Sequence, residues 1–169
     1  MPEDAFTPNV GELLGNNQRY AETFDFGSLQ VQPTRQLAVV ACMDSRIDAF
    51  AVLGLDHGEA HIIRNAGGIV TDDVIRSLCL SQRLLGTREI ILVHHTDCGL
   101  QKVNEDEFKQ DLEQELGIKP RWSVESFTDP FVDVRQSIQR LRVTPFLAHK
   151  ELIRGFVYDV TDGLLKPVD

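Results

Sequence analysis

Leu37-Ala-Val-Val-Ala-Cys42-Met-Asp44-Ser-Arg46 and Glu89-Ile-Ile-Leu-Val-His94-His95-Thr-Asp-Cys98-Gly99 decide the architecture of this chain. Each opens with a short apolar run rich in Val or Ile, the composition of a strand buried on both faces. Each then breaks abruptly into side chains that carry chemistry. Helical patterns separate these strands from two others. Residues 45–54 read as a helix ending near Gly54, and Ala60-His-Ile-Ile-Arg64 as a short strand. Residues 71–85 carry Thr71 as N-cap, Asp72 and Asp73 in the first turn and Gly86 as a stop. Asn104 and Glu107 have capping-box spacing and open a helix that runs to Gly117. Asp129-Pro130 opens another, with Pro at the first helical position. Leu152 to Asp159 reads as a late strand, and Asp162-Gly163 turns it into a hairpin with Leu164 to Val168. Alternating strands and helices predict an α/β fold with a central, mostly parallel sheet and helices on both faces.

The chain has 169 residues, the length of one domain, and 42% of them are hydrophobic, enough for a core without staples. Residues 1–169 are therefore taken as one domain, with the polar residues 1–36 as an N-terminal arm holding a short helix around Leu13, Leu14, Tyr20 and Phe24. Lys and Arg number 17 against 26 Asp and Glu, a net charge of −9. That balance argues against nucleic acid and anionic membrane surfaces as partners, since both demand a basic patch. No apolar run approaches the roughly 20 residues of a spanning helix, and the start Met1-Pro-Glu-Asp has no signal-peptide character. Three cysteines, an odd number, do not make a disulfide framework. These signs predict a cytoplasmic protein.

In an open α/β sheet, sites form beyond the carboxyl ends of the strands. Two neighbouring parallel strands would bring Cys42-x-Asp44-x-Arg46 and His95-x-x-Cys98 to one place. Thiolate and imidazole are preferred zinc donors. Cys42, His95 and Cys98 supply three, and the fourth position is open to Asp44 or to water. Arg46 bears on that choice, because its planar fork can hold a carboxylate by two parallel bonds. If Arg46 takes Asp44 the metal keeps an exchangeable position; if Asp44 turns to the metal the site closes. Cys79, on an apolar helical face, reads as a core residue. The sixth residue after Cys42 is Asp48, so no Cys-x5-Arg phosphate loop is present. Asn65-Ala66-Gly67-Gly68 lacks the pattern of a phosphate-binding loop and reads either as a plain tight turn or as a loop whose glycines allow close backbone approach to a substrate.

In this order and spacing, the Cys-x-Asp-x-Arg, Asn-Ala-Gly and His-x-x-Cys-Gly motifs resemble the β-class carbonic anhydrases. The chain is similar to their short branch, which also includes hydrolases of carbonyl sulfide and carbon disulfide. The resemblance favours His95 over His94 as ligand. It implies one zinc per subunit on Cys42, His95 and Cys98, Asp44 and Arg46 as a catalytic pair, and Asp44 as a ligand in a closed state only. It implies homodimers or higher homo-oligomers, the N-terminal arm packed on the partner subunit and the strand at residues 152–160 extending the sheet at the dimer edge. The activity implied is carbon dioxide hydration to bicarbonate and a proton by zinc-bound hydroxide. Carbonyl sulfide hydrolysis on the same site is the alternative, and a non-catalytic structural zinc protein the second. Two thiolates weaken the metal as a Lewis acid, which predicts better activity on the alkaline side. A small pocket of Met43, Ala66, Gly67 and His61 is expected to take the linear substrate; His61 reads first as a surface histidine, with a proton shuttle as its alternative role.

Overall fold

The computed structural model describes residues 8–169, so the first seven residues of the expected arm lie outside the described residues. In chain order the helices are α1 (Val10–Glu22), α2 (Ala49–Leu53), α3 (Asp72–Leu85), α4 (Glu105–Leu116) and α5 (Pro130–Val143). The strands are β1 (Leu37–Cys42), β2 (Ala60–Asn65), β3 (Glu89–His95), β4 (Leu152–Tyr158) and β5 (Leu165–Val168). Two single 3₁₀ turns, Ala66–Gly68 and Gly99–Lys102, follow β2 and β3.

The chain divides into two compact units, one ending at Gln30 and one spanning Val31–Asp169. The first holds α1 and a string of aromatic rings, Tyr20 on Phe24 and Phe24 on Phe26, each pair with centroids 5.7 Å apart. Residues 31–36, the end of the expected arm, fall within the second unit. There the amides of Thr34 and Arg35 donate to the carbonyls of Gly58 and Glu59, which extends the pairing of β1 with β2.

The sheet runs in the order β2-β1-β3-β4-β5. The first four strands are parallel, and β5 returns antiparallel along β4. The outer edge on that side is therefore β5, not the 152–160 strand, because the turn at Asp162-Gly163 folds the C-terminus back over it. One face is covered by α3 and α5. Ala38 and Val40 of β1, Ile90 and Leu92 of β3 and Val157 of β4 pack there with Val74, Leu78, Val134 and Leu141. A β-carbon on Gly155 of β4 would stand 2.2 Å from Cγ1 of Val134, so α5 sits directly on that glycine.

The other face differs from the expectation of helices on both sides. Leu53 of the one-turn α2 packs there, and Ile62, Ile91, Tyr158 and Leu165 are only partly buried. The helix expected at 45–54 shrinks to Ala49–Leu53 because residues 44–47 are drawn into a turn in which Ile47 N–H donates to the Asp44 carbonyl. Asp48 then caps the short helix through Phe50 and Ala51 N–H, and Gly54 ends it in the left-handed region. α3, α4 and α5 start where capping chemistry predicts, with Thr71, Asn104 and Asp129 accepting first-turn amides, and Gly86 and Gly117 follow α3 and α4 at positive φ.

Candidate metal centre

Parallel register carries the two motifs to one rim. Ala41 lies opposite Val93, so β1 ends at Cys42 beside the end of β3 at His95. Past these tips the chain turns twice within a few residues. Met43 N–H donates to the Asn65 carbonyl on the neighbouring strand (2.8 Å), and Thr96 N–H to the Tyr158 carbonyl (2.9 Å). Asp97 takes a positive φ of 53°, a conformation Asp tolerates better than most residues. The chain then returns to Cys98, whose N–H donates to Oε1 of Gln101.

The ligand atoms of Cys42, His95 and Cys98 lie within 4.8 Å of one another. All three residues are buried, His95 completely. His95 Nδ1 donates to the Thr96 carbonyl at 2.9 Å, which leaves Nε2 with its lone pair free. That Nε2 is buried without a hydrogen-bond partner. A buried, bare imidazole nitrogen facing two sulfurs is costly in a protein interior unless something binds it. The donor set, one nitrogen and two sulfurs, fits zinc, and the carbonyl on the far ring nitrogen is the kind of partner that orients a metal-binding histidine.

The Cys98 thiol beside Cys42 draws the Cys42 pKa well down against the effect of burial, while Cys98 is driven up by Cys42 and by burial. Burial resists charge on the His95 ring, but the Cys42 sulfur outweighs it and raises the ring's pKa.

Asp44 is turned away from this cluster. Its Oδ1 accepts Arg46 Nε at 2.9 Å and its Oδ2 accepts Arg46 Nη2 at 2.7 Å, a bidentate pair. The Arg46 backbone N–H adds a third bond to Oδ1. Hydrogen bonding to the Arg46 side chain, then to its backbone, holds the Asp44 carboxyl below the usual carboxylate range, so it is ionised at neutral pH. Even so, Oδ2 stands only 3.7 Å from His95 Nε2.

The sequence-expected residues divide as follows. Cys42, His95, Cys98, Asp44 and Arg46 converge. Met43, Ala66 and Gly67 line a cavity of about 610 Å³ that reaches Cys42, Asp44 and Cys98. His61 is the exception. It sits four residues before the tip of β2, opposite Ala38, and its Nδ1 bonds Ser81 Oγ at 2.8 Å. The strand carries it towards the opposite end of the sheet, so His61 is removed from the pocket. His94 faces α5, where Nε2 meets Asp133 Oδ2 at 2.6 Å.

Several residues at the site escaped the sequence reading. Arg64 donates from Nε to the Cys42 carbonyl (3.0 Å) and from Nη2 to the Asp44 carbonyl (2.7 Å), bracing the loop that carries both. Phe108 of α4 and Trp122 form the outer wall of the cavity. Asp97, inside the quoted motif, accepts Arg46 Nη1 on Oδ2 at 3.0 Å. Gly68 takes φ +72° where a β-carbon would press on backbone atoms of Ala41, Cys42 and Val93.

The same geometry has relatives. A family model described as carbonic anhydrase matches residues 37–165. Over 157 residues the chain is 54% identical to a β-carbonic anhydrase 1 of Mycobacterium tuberculosis, covering 93% of this chain and 96% of that protein. It is 32% identical over 154 residues to a carbon disulfide hydrolase of Acidithiobacillus thiooxidans, covering 79% of this chain and 77% of the other. A crystal structure of carbonic anhydrase from Streptococcus mutans superposes with a TM-score of 0.90 at 39% identity, covering 97% of this chain and 99% of that one. The family match covers most of the chain and these relatives align with nearly all of it, and the protein belongs to the β-carbonic anhydrase family of enzymes.

Proposed function

We propose that this chain hydrates carbon dioxide to bicarbonate and a proton at one zinc per subunit, held by Cys42, His95 and Cys98. One observation carries the reading: three buried donor atoms lie within 4.8 Å of one another, with His95 Nε2 unpartnered among them. When bound, zinc supplies acidification of a water towards neutral pH and so a nucleophile.

The chain's own residues supply the rest. Asp44, ionised and clamped by Arg46, accepts a hydrogen from the attacking water and aims its remaining lone pair at the substrate carbon. Arg46 keeps that carboxylate out of the ligand cluster, a service a closed structural site has no use for. Met43, Leu100, Val103 and Trp122 give the cavity an apolar wall suited to an uncharged linear molecule. Gly67 at φ +78° lets the backbone approach closely.

Carbonyl sulfide hydrolysis is the second reading. It is favoured by a cavity of about 610 Å³, ample for sulfur's larger radius, and by the likeness to a carbon disulfide hydrolase. Stopped-flow hydration of carbon dioxide beside sulfide release from carbonyl sulfide, on one zinc-loaded preparation, decides between them. Rapid hydration is expected; hydration at background with rapid sulfide release overturns the first reading in favour of the second.

We further infer a homodimer or higher homo-oligomer, with α1 and the chain after it, up to Gln30, as an arm on the partner subunit. Parallel sheets are normally covered on both faces, yet Ile62, Ile91, Tyr158 and Leu165 are only partly buried in the single chain. Val10, Leu13 and Leu14 of α1 are exposed as well. A cytoplasmic location is supported by three free cysteines. Among the described residues, no helix is long and apolar enough to cross a membrane.

A further inference from the structure

The Asp44–Arg46 pair is local. Its members are two residues apart on one loop, so the bonds between them do not by themselves tie either to the rest of the site. Arg64 braces the loop backbone at the Cys42 and Asp44 carbonyls, but it leaves the Asp44 side chain able to swing among the ligands, since its Oδ2 is only 3.7 Å from His95 Nε2. Something outside the loop has to hold the guanidinium.

Asp97 does so. It lies between the ligands His95 and Cys98, on the other motif and 51 residues from Arg46. Its Oδ2 accepts Arg46 Nη1 at 3.0 Å and its carbonyl accepts Arg46 Nη2 at 3.0 Å. Its second carboxylate oxygen, Oδ1, is taken by Lys102 Nζ at 2.7 Å. Charges therefore alternate along Asp44, Arg46, Asp97 and Lys102, with each oxygen of Asp97 assigned to one cation. Isolated ion pairs on half-exposed side chains contribute little. Here Arg46 is bonded on two sides by its planar fork, and the pairs form a network, the conditions under which such contacts hold geometry. The left-handed backbone at Asp97, φ 53°, turns its carbonyl and carboxylate to the same guanidinium.

We propose that Asp97 is a positioning residue that anchors Arg46 to the ligand loop and thereby keeps the Asp44 carboxylate off the fourth position of the metal. The assignment rests on the zinc reading given above. Asp97 touches neither substrate nor ligand atoms; it acts through Arg46. Removing its side chain leaves only the carbonyl bond to Arg46, and Asp44 then gains freedom to close the site.

Asp97→Gly and Asp97→Asn test this. Glycine accepts φ 53° without strain, so it preserves the turn while deleting the carboxylate. Asparagine also tolerates that conformation and still offers one acceptor oxygen to Arg46. The proteins are loaded with cobalt(II) in place of zinc, and azide binding is followed by the visible absorption of the metal. The wild type is expected to bind azide with a clear spectral change. D97G is expected to need at least about tenfold more azide, D97N to fall between, and kcat to drop by about tenfold or more with KM little changed, the usual scale for partners of metal-site residues. Cobalt spectra and azide binding of D97G that coincide with the wild type would overturn the proposal. If D97G does not fold or hold metal, D97N decides by the same measurement, and wild-type azide binding in D97N overturns it. A wild-type protein that takes up no metal, or whose metal ignores azide, defeats the zinc reading itself, a different result from responsive metal in both proteins.

Discussion

A β-carbon on Gly68 would stand 2.9 Å from the amide nitrogen of Cys42, a backbone atom that cannot swing aside. The same carbon would lie 3.1 Å from the carbonyl oxygen of Val93. Gly68 therefore seals the crevice between the tips of β1 and β3, and the loop that follows β2 is pressed onto the strands that carry the ligands. Its φ of +72° adds a second reason for glycine.

Gly68→Ala is expected to cost about 2–4 kcal/mol of stability, from the left-handed backbone and the contact with strand backbone together. It should also weaken zinc retention, since Cys42 must move to make room. Thermal melting and zinc content of the purified variant check both. A stable G68A protein with full zinc would show that the loop yields without disturbing the ligands.

At Gly155 the neighbour is a side chain. An alanine there meets Cγ1 of Val134 at 2.2 Å and Cδ1 of Ile138 at 2.9 Å. Overpacking of this kind typically costs ~1–3 kcal/mol, which for a chain of this size lowers the melting temperature by several degrees. Gly155→Ala paired with Val134→Ala should recover part of the loss. Additive losses in the double variant would mean that α5 does not rest on Gly155.

His61 separates two accounts of proton removal. Its ring bonds Ser81, whose hydroxyl bonds Thr87 at 2.7 Å, a polar chain at the far side of the sheet from the site. His61→Ala is expected to lower the melting temperature modestly and to leave turnover unchanged in dilute buffer, where an internal proton shuttle matters most. A drop in turnover restored by added imidazole would return His61 to the reaction.

Asp159 is one of several carboxylates that shape the acid side of the stability curve. Its carboxylate accepts Lys166 Nζ at 2.7 Å, with further bonds from the Thr161 hydroxyl and amide. Lys166 first, then Thr161, holds its pKa below the ordinary Asp value. A depressed folded-state pKa means that the unfolded chain takes up the proton first. The stabilisation is thus complete above the unfolded value, about 3.9, and is lost as pH falls below it towards the folded value. Asp159→Asn is expected to melt below the wild type at pH 7, with the gap closing as pH drops beneath about 4. A gap that persists unchanged at pH 3 would assign the loss to the shape of the hairpin, not to its charge.

Much of this was legible in the residues. Caps at Thr71, Asn104 and Asp129 and stops at Gly86 and Gly117 mark helix ends by local chemistry, which a sequence displays directly. The two strand-tip motifs announced their donors for the same reason. What the sequence did not display depends on long-range register. His61 lies four residues from Asn65, and along a strand that distance carries it away from the rim. Arg64 and Asp97 show the converse. Their partners, Cys42 and Asp44 for one and Arg46 for the other, are brought to them only by β1 pairing with β2 and β3. Phe108 and Trp122 come from segments with no strand period at all, and only packing brings them to the cavity.

Zinc-edge X-ray absorption on the purified protein tests the central claim most directly. One zinc per chain is expected, with two sulfur scatterers at about 2.3 Å and two nitrogen or oxygen scatterers at about 2.0–2.1 Å. Cys42→Ser should lose one sulfur or the metal altogether. A protein that carries no zinc, or zinc in a shell without sulfur, would contradict the assignment of Cys42, His95 and Cys98 as its ligands.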